Sequence, residues 1–184
     1  FKLDSIMKIH IETKRLILRD LTEADLPDLF ELDSDPEVHK YLGNNPVKTI
    51  EQSRDNLKYI HQQYADNGIG RWAVIDKTTN DFLGWSGLKY EEKLRSEFSY
   101  YDLGYRFKKQ YWGQGFATEA AVASLQYGFE TLKLEQICAA AHVENIGSNK
   151  ILQKVGLRFI ETFEYHDALC NWYRLDRLEW LDMA

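Results

Sequence analysis

The residues best suited to chemistry lie between Gln110 and Ala117, where Gln-Tyr-Trp-Gly-Gln-Gly-Phe-Ala separates two periodic segments. Before it, Leu103, Tyr105 and Phe107 alternate with polar or small residues, which is strand periodicity. After it, Ala117, Ala120, Ala121, Leu125 and Phe129 recur at helical spacing. A strand that feeds a helix through glycines gathers several backbone N–H groups at one point. Those groups have no partner inside the helix and sit at the positive end of its dipole, so the turn suits an anion such as a phosphate. Glycine matters there because a Cβ would hold the phosphate off the backbone. The dinucleotide fingerprint G-x-G-x-x-G is not met, because Thr118 takes its third position, and no Gly-Lys-Ser/Thr follows as in a P-loop. The pattern left is Q-x-x-G-x-G followed by Ala, which a plain turn would also satisfy.

The rest of the chain must position that turn. Residues 8–21 read as one strand, followed by Thr22 and Asp25 as a capping box, with Leu26, Leu29 and Phe30 on a helix face ending near Asp33. Pro36 opens a second short helix that Gly43 stops, and Thr49 with Gln52 caps a longer one that ends at Asn67-Gly68. Arg71–Asp76 and Phe82–Leu88 then read as a hairpin, residues 89–97 as a solvated loop, and 98–107 as a third strand leading into the glycines. Gln136–His142 is a short apolar strand. Asn145 to Ser148 opens a helix carrying Ile151, Leu152 and Val155, with Gly156 as its stop. Residues 157–163 read as a strand, 165–171 as a loop and 172–180 as a final strand-like run antiparallel to its predecessor. The order predicts an α/β (α+β) fold, a mixed sheet flanked by helices, with a right-handed parallel crossover between 98 and 142.

Composition narrows the classes. At 184 residues, 44% hydrophobic and 14% aromatic, the chain is long enough for one globular domain with its own core. The domain is expected over 7–184, with Met7 as the natural start and residues 1–6 as a cloning remnant. No apolar run approaches the roughly 18 residues of a membrane span. A formal net charge of −6 argues against a nucleic-acid backbone as partner. Cys138 and Cys170 make no disulfide scaffold, and the five histidines show no metal spacing, so no metal is expected and the compartment is expected to be cytoplasmic.

Four segments resemble one family. Thr13-Lys-Arg-Leu-Ile-Leu-Arg19 is similar to the T-x-R-L-x-L-R opening of the Rim-type branch of the GNAT N-acetyltransferases, which acetylates N-termini of ribosomal proteins. Asp102-Leu-Gly-Tyr105 resembles that branch's E-I-G-Y strand, Trp112 to Ala120 its W-G-x-G-x-A-T-E-A loop, and Asn145-x-x-Ser148 its N-x-x-S segment. The matches are in order and span about residues 13–157. The resemblance implies a mostly antiparallel sheet with a splayed central parallel pair, here 102–107 and 136–142. It implies acetyl-CoA as co-substrate. The pyrophosphate would lie on Gln110, Trp112, Gly113, Gln114, Gly115, Phe116, Ala117 and Thr118, and the pantetheine arm on the backbone of Tyr105, Arg106 and Phe107. Asn145 and Ser148 would lie near the thioester.

Acetyl transfer to an amine needs a base for the ammonium proton, donors for the oxyanion and an acid for the leaving thiolate. Asp102 stands where the family has a strand glutamate and is the first candidate base; it is one methylene shorter, and a plain strand-edge carboxylate is the alternative. Glu97 is a weaker candidate, and Glu119 reads as well as a first-turn charge favoured by the helix dipole. The tyrosine that many GNAT enzymes carry seven residues after the asparagine is Leu152 here; the resemblance to the Rim-type branch implies that the serine of N-x-x-S, Ser148, donates to the leaving sulfur, with a helix N-cap as the alternative or additional role. Backbone N–H groups around Tyr105 would serve the oxyanion. Trp72, Trp85, Tyr100 and Tyr101 either line the acceptor pocket or pack in the core. The reading reached is acetyl transfer from acetyl-CoA to a primary amine, first a protein or ribosomal-protein N-terminus. The alternatives are a small amine (polyamine, amino acid or aminoglycoside) and a non-catalytic CoA sensor. No nucleic-acid or membrane partner is expected, and the chain would be a monomer or homodimer.

Overall fold

The structure is a computed structural model that describes residues 7–183; the segment read as a cloning remnant lies outside the described residues. The strand expected over 8–21 is two strands, β1 (Ile9–Glu12) and β2 (Leu16–Asp20). Thr13 reverses the chain between them: its N–H donates to Leu16 O at 2.9 Å and its Oγ1 accepts from Leu16 N–H at 3.0 Å. The Thr22–Asp25 capping box starts a 3-10 turn that runs into α1 (Leu26–Ser34), and Pro36 opens α2 (Pro36–His39). α3 (Ile50–Asn67) begins at the Thr49–Gln52 capping box and ends at Gly68, φ 69°.

β3 (Arg71–Asp76) and β4 (Phe82–Glu91) follow. β4 is longer than expected: Lys89, Tyr90 and Glu91, read as loop, pair with Asp102, Tyr101 and Tyr100 of β5 (Tyr100–Phe107). Next come α4 (Phe116–Gln126), β6 (Gln136–His142), α5 (Ile146–Lys154), β7 (Arg158–Tyr165) and β8 (Ala168–Asp176). The loop expected over 165–171 shrinks to a turn at His166 and Asp167, with φ 47° and 62°. The final run is not a strand to its end. It leaves β8 at Asp176 and becomes α6 (Arg177–Met183), because Asp176 N–H finds Glu179 Oε2 at 3.0 Å and Trp180 stacks on Phe129 with centroids 5.6 Å apart.

The eight strands of the described residues form one sheet in the order β1-β2-β3-β4-β5-β6-β8-β7. Every pairing is antiparallel except β5–β6, which is parallel. That parallel pair is in register only at Asp102↔Cys138, whereas β6 pairs with β8 along all of 136–142. The two parallel strands therefore meet near their starts and open toward their ends, the splay that the resemblance implied. One face of the sheet packs on α4 through Leu16, Leu18, Trp72, Leu88, Leu103 and Phe107. The other packs on α1 and α3 through Ala73, Ile75 and Phe82. Beyond β5 that second face carries only the smaller cluster of Tyr100, Cys138 and Trp172, with Ala140, Phe163 and Arg174 half-buried.

Candidate active site

The glycine turn lies where β5 ends. After Phe107 a 3-10 turn spans Lys109–Tyr111, Trp112 Nε1 donates to Phe107 O at 2.8 Å, and Gln114 Nε2 donates to Gln110 O at 2.9 Å. Gly113 and Gly115 have φ of 73° and 80°, and Gly115 caps α4. An added Cβ at Gly113 would meet nothing within 4 Å, so the backbone there is bare and faces open space. Phe116 is buried under this turn, and Ala117 and Thr118 are half-buried in the first turn of α4. Arg15, from the Thr13–Arg19 segment, adds a cation. Its Nη1 donates to Gln114 O at 3.0 Å and its guanidinium lies 4.3 Å from the Phe116 ring centroid. Bare glycine backbone at the start of an 11-residue helix, beside a half-exposed guanidinium, fits a diphosphate.

Glu119 takes the structural one of its two readings. It accepts from Thr13 Oγ1 at 2.6 Å, Arg15 N–H at 3.0 Å and Arg15 Nε at 2.6 Å. Burial pushes its carboxyl up, but the Thr13 and Arg15 donors outweigh that and hold it below the usual carboxylate value. Thr13 and Arg15 of the opening segment and Glu119 of the glycine-loop segment thus form one hydrogen-bonded knot fastening the start of β2 to α4.

At the open end of the splay, the Tyr105 hydroxyl donates to Ser148 O at 3.1 Å and lies 3.1 Å from Ser148 Oγ. Asn145 caps α5, its Oδ1 accepting Ser148 N–H at 3.1 Å. Asn149, which sequence reasoning missed, fastens this helix end. Its Nδ2 donates to His142 O at 2.9 Å and Asn145 O at 2.8 Å, and its Oδ1 accepts from Asn171 at 2.9 Å and Tyr173 at 2.7 Å. The available signal was a polar residue one helical turn from Leu152, on the inward face. Leu152, where other enzymes carry tyrosine, is fully packed in the core. Phe107 points into the core and Arg106 to the opposite face, so both meet the splay through backbone only.

Asp102 points to that opposite face. Its Oδ2 is paired with Arg71 Nη2, and Arg71 Nη1 donates to Asp102 O at 2.7 Å and Gly87 O at 2.5 Å. The Arg71 guanidinium lies against Gly104, where a Cβ would come within 2.5 Å of Nη2, so a side chain there would shift Arg71 from its place on Asp102. Trp85 sits between two guanidinium groups, Arg71 at 5.4 Å and Arg106 at 5.0 Å, and Arg106 pairs with Asp33 of α1. Burial raises the Asp102 carboxyl above its ordinary value, against the opposing pull of Arg71 and Lys89. Of the four aromatic candidates, Trp85 and Tyr100 share this face, while Trp72 and Tyr101 pack with the α4-side core. Glu97 is exposed and lies 3.5 Å from Arg95, not on Asp102. Among the described residues no group of three His, Cys, Asp or Glu is placed to hold a metal ion, and no helix is long and apolar enough to cross a membrane.

The family model described as "Acetyltransferase (GNAT) domain" matches residues 15–158. The chain belongs to the GNAT acetyltransferase family. A protein of Bacillus licheniformis named as an uncharacterized N-acetyltransferase, p20, is 34% identical over 148 residues, 79% of this chain and 80% of that one. A GNAT-family acetyltransferase structure from Bacillus anthracis superposes with TM-score 0.76 at 27% identity, over 91% of this chain and 98% of that one. Two more distant structures share the fold. A spermidine N-acetyltransferase of Vibrio cholerae, complexed with CoA and spermine, has TM-score 0.73 at 19% identity, over 92% and 99% of the two chains. The ribosomal-protein alpha-N-acetyltransferase RimL has TM-score 0.76 at 16% identity, over 92% and 94%. This GNAT protein is an acyltransferase that takes acetyl-CoA as its co-substrate.

Proposed function

We propose that this acetyltransferase modifies the free N-terminus of a protein or peptide, presented from the Asp102 face. The observation that carries this reading is the pairing of charges on that face. Asp102 is bound to Arg71, Glu91 to Lys89, Asp33 to Arg106, and Asp176 lies near Arg174. A polyamine carries several ammonium groups and needs carboxylates free to receive them; a peptide N-terminus brings one. Among the described residues no helix covers this face beyond β5, where Ala140, His142, Phe163 and Cys170 are half-buried. The likeness to RimL and to a spermidine enzyme covers both acceptor classes, so the choice rests on the face itself.

In this reading Asp102 takes the ammonium proton, directly or through one water, with Arg71 holding the carboxylate in place. The amine then reaches the thioester lying in the splay. Backbone N–H groups near Tyr105 receive the oxyanion, and Ser148, bonded to Tyr105, supplies the proton to the leaving thiolate on the α5 side. Asn145 keeps Ser148 at the helix start. Gln110 to Thr118 with Arg15 hold the pyrophosphate. Two free thiols, Cys138 and Cys170, fit a reducing cytoplasm.

The test is thiol release from acetyl-CoA with a peptide carrying a free N-terminus, the same peptide N-blocked, spermidine, a free amino acid and an aminoglycoside. Turnover of the free peptide and none of the blocked one is expected. A kcat/KM for any small amine about a hundredfold above that of the peptides overturns the acceptor assignment.

A further inference from the structure

Arg95, on the loop between β4 and β5, lies in a box of aromatic rings. Its guanidinium carbon is 4.8 Å from the Phe163 centroid, 5.0 Å from Trp172 and 5.3 Å from Phe98. Its Nη2 donates to Glu161 Oε1 at 2.7 Å, and its Nε is 3.5 Å from Glu97 Oε2. Its Nη1 is buried with no partner among the described residues. Ring faces with carboxylates at the rim attract a cation, and guanidinium suits them better than a compact, strongly hydrated ammonium.

Most of the box is built without Arg95. Trp172 meets Tyr100 edge-on at 4.6 Å, Phe98 at 5.8 Å and Phe163 at 5.9 Å, and these rings come from β5, β7, β8 and the loop. Arg95 arrives on residues 92–99, which form neither helix nor strand and also carry Glu97 and Phe98. The box also adjoins the acceptor face. Tyr100 is two residues from Asp102, Cys138 is its register partner, and Tyr100, Cys138, Trp172 and Leu94 share one apolar cluster. Two strand spacings separate β5 from β8, about 10 Å. An extended residue spans about 3.5 Å, so a side chain one or two residues behind an amine at Asp102 reaches that far.

We propose that the box of Phe98, Phe163 and Trp172, rimmed by Glu97 and Glu161, is a cation subsite of the acceptor groove. Arg95 fills it in the free protein, and a guanidinium on the acceptor takes its place. The assignment of an acceptor group to it rests on the reading of the Asp102 face as the acceptor entrance. Occupancy by Arg95 is intramolecular, so a free ligand competes with an effective concentration of the order of millimolar. Binding to the wild type is therefore weak, and removal of Arg95 uncovers the site.

The experiment titrates ethylguanidinium, with neutral ethylurea as the control of equal shape, into the wild type and Arg95→Ala, followed by calorimetry and Tm. Arg95→Ala is expected to bind ethylguanidinium at least about tenfold tighter than the wild type does, and to gain Tm from it but not from ethylurea. A folded Arg95→Ala that treats the two alike overturns the proposal. If the variant does not fold in buffer, folding with ethylguanidinium alone supports the site, and failure with both shows Arg95 to be a loop latch and overturns it. Two peptides differing only by arginine or citrulline at the second residue test the acceptor role. A KM about tenfold lower for arginine is expected, and equal KM values overturn that role. Guanidinium binding with neither peptide acetylated leaves the cation site standing and removes the N-terminal acceptor.

Discussion

The Tyr105 hydroxyl lies 3.1 Å from both the carbonyl oxygen and the Oγ of Ser148, joining β5 to the first turn of α5 across the open end of the splay. Burial raises the Tyr105 pKa well above the ordinary phenol value, so the hydroxyl stays protonated at neutral pH and remains a donor. Asp102, three residues earlier on the same strand, points to the other face. A carboxylate on one side and a pair of hydroxyls on the other suit a reaction in which the proton leaves the amine on one face and reaches the thiolate on the other.

If Ser148 is the acid and Tyr105 positions it, Ser148→Ala lowers kcat by about a hundredfold, within the usual range for one proton-transfer group. Tyr105→Phe lowers kcat by about tenfold and leaves the KM for acetyl-CoA within about twofold. The effects are not additive, because Tyr105 acts through Ser148: the double variant falls no further than Ser148→Ala alone. Steady-state thiol release on the three variants measures this, and fully additive losses break the coupling.

Asp102 is tested by pH. Burial lifts its carboxyl above 3.8, while Arg71 and Lys89 pull it back. As a base it must be ionised, so kcat/KM rises with pH through that raised value. In Asp102→Asn the limb disappears and the rate falls by about 10²- to 10⁴-fold. Gly104→Ala approaches the same point indirectly. Its Cβ displaces the Arg71 guanidinium, so activity drops while acetyl-CoA affinity holds. A pH limb that survives in Asp102→Asn would leave Asp102 as a strand-edge carboxylate.

The parts read correctly from sequence were those whose causes are local. The Thr49–Gln52 box, the Gly68 stop and the glycine turn at Gly113 and Gly115 each depend on residues within one turn. Contacts that cross the sheet were not readable. Lys89–Glu91 looked like solvated loop because its pairing partners lie 9–13 residues ahead on β5. α6 was mistaken for strand because Trp180 is set by Phe129, from the turn after α4. The Asp102 pairing with Arg71 and the Tyr105 contact with Ser148 span 31 and 43 residues, so the family resemblance named Asp102 and Ser148 but not their partners.

Glu119 predicts a stability effect with a definite sign. Its folded pKa is lowered, so it contributes stability that is fully present above the ordinary value of 4.5 and is lost as pH falls through the lower folded value. Glu119→Gln keeps the shape and removes the charge. It is expected to cost about 1–2 kcal/mol at pH 7 and little once the native carboxyl is protonated. Urea unfolding of both proteins across that pH range checks it, and a pH-independent difference contradicts the ionic role.

Gly113 separates a phosphate cradle from a plain turn. Its φ of 73° strains any other residue, yet its missing Cβ faces open space, so Gly113→Ala has nothing to collide with inside the protein. The backbone strain costs about 1–2 kcal/mol, a Tm loss of a few degrees for a chain of this length. A cradle adds a second effect, because the methyl group lies where the diphosphate must approach the backbone. Loss of one charge-assisted hydrogen bond weakens acetyl-CoA binding by about 10- to 100-fold. Calorimetric titration of acetyl-CoA together with a thermal melt reads both quantities on one sample. A Tm loss with unchanged affinity returns Gly113 to the role of a turn residue.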